Sequence, residues 1–210
     1  MDGLMFDTES LYSDVGRELM RRRGFDYPDD LCHAVMGTPP ETSFTTMIDW
    51  FSLSDTWEEL QDESDAVFLE LVKGGFSMMP GLPELLAEIE RLGLPKAVCT
   101  SSAPKLAGPV LACHNMAPRF DFVLTAADVV QGKPNPEIYL KAAARFGIEP
   151  AEMMVLEDSV LGTEAALAAG ALTFTVLAEH NISRSFPKET RLVNRLDAPR
   201  VLAALDEMTT

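Results

Sequence analysis

The chain has 210 residues, 47% of them hydrophobic, which is enough to bury one good core with room for a second small lobe. A formal net charge of -16 argues against a nucleic-acid or anionic-membrane surface, so an anionic ligand would need a few local cations or a metal. With no signal peptide, no apolar span of about twenty residues and no repeats, the sequence points to a soluble cytoplasmic protein. The three cysteines, Cys32, Cys99 and Cys113, form no spacing motif and read as buried structural thiols.

Asp2-Gly3 opens the chain as a loop. From Glu9 to about Gly74 the pattern is helical. Leu11, Val15 and Leu19 share one face, and Gly24 ends that helix. Phe44, Met47, Ile48 and Phe51 form an i, i+3, i+4, i+7 stripe after Pro39-Pro40. Thr56 and Glu59 make a capping box for a third helix carrying Leu60, Val67 and Leu71. Gly74-Gly75 closes the block, whose apolar stripes suit core packing.

From Pro80 the pattern alternates helix and strand, which implies a parallel sheet. Leu82, Leu85, Leu86, Ile89 and Leu92 mark a helix ended by Gly93, and a strand at 96–99 runs into Thr100-Ser101-Ser102. The next helix starts near Ala103 and should break or bend at Pro109. A strand at 122–124 leads to Gly132-Lys133-Pro134, followed by a helix over 138–146. Met153 to Leu156 is a short apolar strand ending in two adjacent carboxylates, Glu157 and Asp158. After it come a Gly162-punctuated turn, an Ala-rich helix closed by Gly170, a strand at 172–177 and a last helix over 198–208.

Polar groups therefore collect at three successive strand tips: Thr100, Ser101 and Ser102; Lys133; Glu157 and Asp158. In an open α/β sheet that end binds ligands. Hydroxyls beside a helix N-terminus can cradle phosphate oxygens, and Lys133 can supply a point charge. Neighbouring carboxylates repel unless a cation such as Mg²⁺ sits between them. Singly, each has an ordinary alternative: Thr100 and Ser102 as helix caps, Lys133 as a surface lysine.

The residues Asp2-Gly3-Leu4-Met5-Phe6-Asp7-Thr8-Glu9, Val98-Cys99-Thr100-Ser101-Ser102, Gly132-Lys133-Pro134-Asn135-Pro136-Glu137 and Leu156-Glu157-Asp158-Ser159 resemble, in order and spacing, the four motifs of the haloacid dehalogenase superfamily in its helical-cap branch. Within it the chain is similar to small-metabolite phosphatases, among them pseudouridine-5'-phosphatase, β-phosphoglucomutase and sugar-phosphate phosphatases. The resemblance implies an α/β fold, with a Rossmann-like core (1–9 and 75–210) and an all-helical cap (10–74). It also implies a Mg²⁺-dependent phosphatase acting on a small phosphorylated metabolite, working as a monomer or weak homodimer. Asp2 would be the general acid/base and give Mg²⁺ a backbone carbonyl. Thr100, Ser101 and Lys133 would hold phosphate, Asp158 and Glu157 would bind the metal, and Thr8 would face substrate.

The family's nucleophile is an Asp two residues before the acid/base. Here that position, and the central strand carrying it, fall ahead of Met1, so residues 1–210 alone should lack turnover. Mutases of this group resemble one another in a cap His and Arg where this chain has Tyr12 and Gly37-Thr38-Pro39-Pro40, which favours hydrolysis over phosphosugar transfer. A non-catalytic phosphometabolite-binding module and a metal-free dehalogenase are the alternatives; the Glu157-Asp158 pair speaks against the second.

Overall fold

The structure is a computed structural model that describes residues 1–36 and 38–209, so Gly37 of the cap loop lies outside the described residues. It divides into two compact units, Thr8–Phe76 and the remainder, Met1–Asp7 with Ser77–Thr210.

The Thr8–Phe76 unit is helical: α1 (Glu9–Arg22), α2 (Asp29–Val35), α3 (Pro40–Phe51) and α4 (Trp57–Val72). Leu11, Val15 and Leu19 of α1 are buried, and α1 packs on α4, which buries Leu60, Val67 and Phe68. The Thr56–Glu59 capping box forms as expected, each side chain bonding the other's backbone N–H. Helix α2 is an addition to the three helices read from the sequence. It is seven residues long, starts after Pro28 and buries only Leu31, so it has no stripe to read.

The second unit is α/β with parallel strands. Helix α5 (Leu82–Leu92) precedes β1 (Ala97–Cys99), then come α6 (Pro104–Cys113), β2 (Phe122–Leu124), α7 (Glu137–Phe146), β3 (Met154–Glu157), α8 (Val160–Ala169), β4 (Leu172–Val176), β5 (Arg191–Val193) and α9 (Pro199–Glu207). The strands lie in two parallel sheets, β1–β2 and β3–β4–β5, so β1 and β3 are each an edge strand. One apolar cluster joins them. It brings Ile138, Tyr139, Ala142 and Ala143 of α7 together with Val155 of β3, Ala165 and Ala166 of α8, and Ala97 and Cys99 of β1. The alanines of α8 let its backbone approach the sheet closely.

Two expectations change here. Helix α6 does not break at Pro109 but continues to Cys113, because the apolar face of Leu106, Ala107, Val110 and Leu111 stays buried and offsets the lost backbone bond. Cys113 is exposed, and Cys32 and Cys99 are only partly buried, so the thiols are not uniformly core residues. Strand β5 carries no alternating pattern in the sequence. It has three residues and only Val193 is buried.

Met1–Asp7 is stitched to the segment before α5 by backbone bonds from Asp7 N–H to Ser77 O (3.0 Å) and Met79 N–H to Met5 O (2.8 Å). Phe6 is fully buried and stacks on His114 at 5.2 Å. Burying a side chain of that size contributes roughly 1.5–3 kcal/mol, which anchors Asp2 and Gly3 next to it.

Candidate active site

Strand β1 stops at Cys99, and its next residue, Thr100, is 3% exposed, its N–H held by the Leu124 carbonyl of β2 at 2.9 Å. The turn that follows is closed by Ser102 N–H on Thr100 Oγ1 (3.1 Å). A hydroxyl chain runs outward from there. Thr100 donates to Ser102 Oγ (3.1 Å), and Ser102 donates to Asp2 Oδ2 (2.6 Å). Asp2 and Thr100 thus share one relay, although they lie 98 positions apart in the chain.

Lys133 sits in the loop between β2 and α7. Glu137, the first residue of α7, ties that loop down by accepting from the N–H groups of Val130 (3.0 Å) and Gln131 (2.8 Å). Lys133 Nζ donates to the Cys99 carbonyl at 3.2 Å and to Glu157 Oε1 at 2.5 Å. An ammonium has three donors, and among the described residues these two bonds occupy two of them.

The two carboxylates at the end of β3 have different surroundings. Glu157 is buried. Its Oε1 also accepts the Tyr139 hydroxyl (2.5 Å), while its Oε2 accepts from Asp158 N–H (3.1 Å) and from the N–H and hydroxyl of Ser159. Burial would push its pKa up, but the Lys133 ammonium beside it holds it well below the usual carboxylate range. Both Glu157 oxygens are filled by these partners, and Lys133 is anchored on Oε1. Asp158 Oδ2 instead meets His180 Nε2 at 3.1 Å. It also lies against Gly3, where a Cβ would come within 2.3 Å of that oxygen. Burial pushes the Asp158 carboxyl up, with the His180 contact acting against it. Its backbone carbonyl is held by Asn181 Nδ2 (2.8 Å), which also bonds Val176 O.

Among the described residues no three His, Cys, Asp or Glu side chains gather into a metal cage. The Asp158 carboxylate lies against the backbone at Gly3, and carboxylate and backbone carbonyl groups are oxygen donors. That set fits Mg²⁺, which keeps several waters and takes one or two carboxylates plus phosphate oxygens. Of the other residues read from the sequence, Ser101 is exposed on the turn after β1, and Thr8 belongs to the helical unit, where it is buried at the head of α1.

The motif order has a counterpart in known proteins. A model of the haloacid dehalogenase-like hydrolases matches residues 1–176. The chain belongs to that family. It is 32% identical over 174 residues to a phosphorylated carbohydrates phosphatase of Thermotoga maritima, covering 81% of this chain and 79% of the relative. It is 29% identical to hexitol phosphatase A of Escherichia coli, covering 100% of this chain and 90% of that one. The fold matches a β-phosphoglucomutase from Clostridium difficile with a TM-score of 0.73 at 21% identity, over 99% of this chain and 93% of that one.

Beyond the family's motifs, this hydrolase gathers Tyr139, His180 and Asn181 around the same strand tips, and sequence reasoning passed over all three. Tyr139 falls in the buried stripe of α7 and looks like core, although a buried phenol needs a hydrogen-bond partner. His180 and Asn181 sit in an irregular loop after β4, and no periodicity points to them.

Proposed function

We propose that the protein is a Mg²⁺-dependent phosphatase of the cytoplasm acting on a small phosphorylated metabolite, a sugar or nucleoside phosphate. The observation that carries the reading is the reach of Lys133 Nζ, bonded to both Cys99 O and Glu157 Oε1, the residues that immediately precede Thr100 and Asp158 in the chain. The relatives named as phosphatases of phosphorylated carbohydrates and hexitols support the substrate class.

In the proposed mechanism a carboxylate two positions before Asp2, supplied by a chain extended ahead of Met1, attacks phosphorus. The phosphorus–oxygen ester bond breaks, and Asp2 passes its proton to the leaving oxygen. Asp2 then takes a proton from water as that water attacks the aspartyl-phosphate, which releases inorganic phosphate and restores the carboxylate. Ser102 orients the Asp2 carboxylate, while Thr100 and Lys133 bind and orient the phosphoryl oxygens. Held by Asp158 and the Asp2 carbonyl, Mg²⁺ would supply further neutralisation of phosphate charge.

The test compares residues 1–210 with a form that adds the in-frame codons ahead of Met1, on a panel of phosphate monoesters. Turnover is expected in the extended form, lost in EDTA, and lowered about 10²-fold or more by Asp2→Asn. No hydrolysis of any monoester, or equal hydrolysis in EDTA, rejects the reading.

A further inference from the structure

We infer that Tyr139 is a positioning residue for Lys133, holding the ammonium in place both through the Glu157 carboxylate and through its own ring. The inference rests on the reading of Lys133 as the phosphate-binding cation.

Two contacts of one side chain, and its burial, carry it. The Tyr139 hydroxyl donates to Glu157 Oε1 at 2.5 Å, the same oxygen that accepts Lys133 Nζ. Lys133 Nζ also stands 5.0 Å from the centre of the Tyr139 ring, within the range of a cation–π contact. Tyr139 is itself 4% exposed and fixed in the α7 stripe between Ile138 and Ala142, so it cannot swing away. A lysine has four rotatable side-chain bonds and no preferred direction for its charge. Here its end is confined by the Cys99 carbonyl, the Glu157 carboxylate and the aromatic face. Removing the hydroxyl leaves Lys133, among the described residues, as the one side chain on Oε1. The ammonium is then drawn deeper onto Glu157, and its remaining donor leaves the phosphate position.

The experiment is titration calorimetry of the purified protein with inorganic phosphate in Mg²⁺. Tyr139→Phe keeps the ring and loses the hydroxyl; it is expected to weaken phosphate binding about tenfold, the scale of one hydrogen bond to a charged group. Tyr139→Leu loses both contacts and should weaken it further. Because Tyr139 acts through Lys133, Tyr139→Phe should have no effect on phosphate affinity in a Lys133→Ala background. A Tyr139 with a merely structural role would lower affinity by the same factor in both backgrounds, and that result overturns the inference. So does a Tyr139→Phe variant that binds phosphate like wild type while Lys133→Ala binds weakly. If Lys133→Ala itself binds phosphate normally, the phosphate-site reading fails and this inference falls with it. Should the Tyr139 variants not fold, the unaltered protein still decides the geometry. Stacking over the ring should shift the Lys133 side-chain protons upfield by NMR, and unshifted resonances overturn the inference.

Discussion

Gly162 and Glu157 approach so closely that a Cβ on residue 162 would come within 2.1 Å of the Glu157 carboxylate. The contact explains how α8 begins. Ser159 caps the helix by accepting Gly162 N–H at 3.0 Å, and its own hydroxyl points back to Glu157 Oε2 at 3.1 Å. The first turn of α8 is thus folded over a buried anion, where the positive end of the helix favours it. Only a glycine leaves room for that anion.

Gly162→Ala should therefore cost about 1–3 kcal/mol through overpacking and lower the melting temperature by several degrees. It should also weaken inorganic phosphate binding, because Glu157 can yield only by moving Lys133. Leu161→Ala is the control on the same helical turn. Leu161 is 46% exposed, so its replacement should stay within about 0.5 kcal/mol of wild type. Equal melting curves for the two variants would refute the packing argument.

The sequence displayed the strand tips but not which way their side chains point. Glu157 and Asp158 are neighbours, and like charges side by side suggested a shared cation. Yet successive strand residues face opposite sides, and in β3 Val155 and Glu157 are the buried pair. Applied to these residues, the two-residue period separates an inward Glu157 from Asp158. The partners of Asp2 are different in kind. Ser102 lies 100 positions away, and only the tertiary fold brings its hydroxyl to the Asp2 carboxylate. Local signals with their own hydrogen bonds, such as the Thr56–Glu59 box, could be read directly. Elements shaped by packing alone, α2 and β5, could not.

In the helical unit, Arg23 Nη2 bonds Asp55 Oδ1 at 2.5 Å and Glu63 Oε2 at 2.7 Å. The Arg23 guanidinium holds the Asp55 carboxyl below its ordinary value, and unfolding lets it return. A carboxyl depressed in the folded state adds stability above its unfolded pKa of about 4 and loses it as pH falls through the folded value. The pair is partly exposed, so it should contribute about 1 kcal/mol or less. Asp55→Asn should accordingly melt lower than wild type at pH 7, with the gap closing below about pH 4. A gap that persists or widens in acid would contradict the sign.

Three threonine hydroxyls form a buried chain behind the site. Thr175 Oγ1 lies 2.8 Å from both Thr163 Oγ1 and Thr190 Oγ1, linking α8, β4 and the segment before β5. Thr175→Val keeps the shape but takes this partner from the Thr163 hydroxyl, while Thr190 keeps only its long bond to Thr173 O at 3.4 Å. That should cost about 1–3 kcal/mol. Thr175→Ser keeps the hydroxyl and loses one methyl, so it should cost less, about 1 kcal/mol. Urea unfolding of both variants checks the order; a valine variant as stable as the serine one would show that the chain contributes nothing.

Asp158 and Gly3 give the sharpest test of the metal assignment, because they should affect Mg²⁺ binding by different routes. Asp158→Asn removes the carboxylate charge while keeping its shape. The Asn181 bond to its backbone carbonyl is untouched, and the neighbouring Glu157 loses a like charge. Mg²⁺ binding should disappear, yet the melting temperature should change by no more than a few degrees. Gly3→Ala leaves the charge but puts a Cβ within 2.3 Å of Asp158 Oδ2 and within 3.0 Å of His180 Nε2, at a residue whose φ is +65°. A left-handed alanine costs about 1–2 kcal/mol, and the clash must be relieved by moving the carboxylate. This variant should lose both stability and Mg²⁺ affinity. Calorimetric Mg²⁺ titrations beside melting curves separate the two patterns. An Asp158→Asn protein that still binds Mg²⁺ like wild type would remove Asp158 from the metal site, whatever Gly3→Ala does.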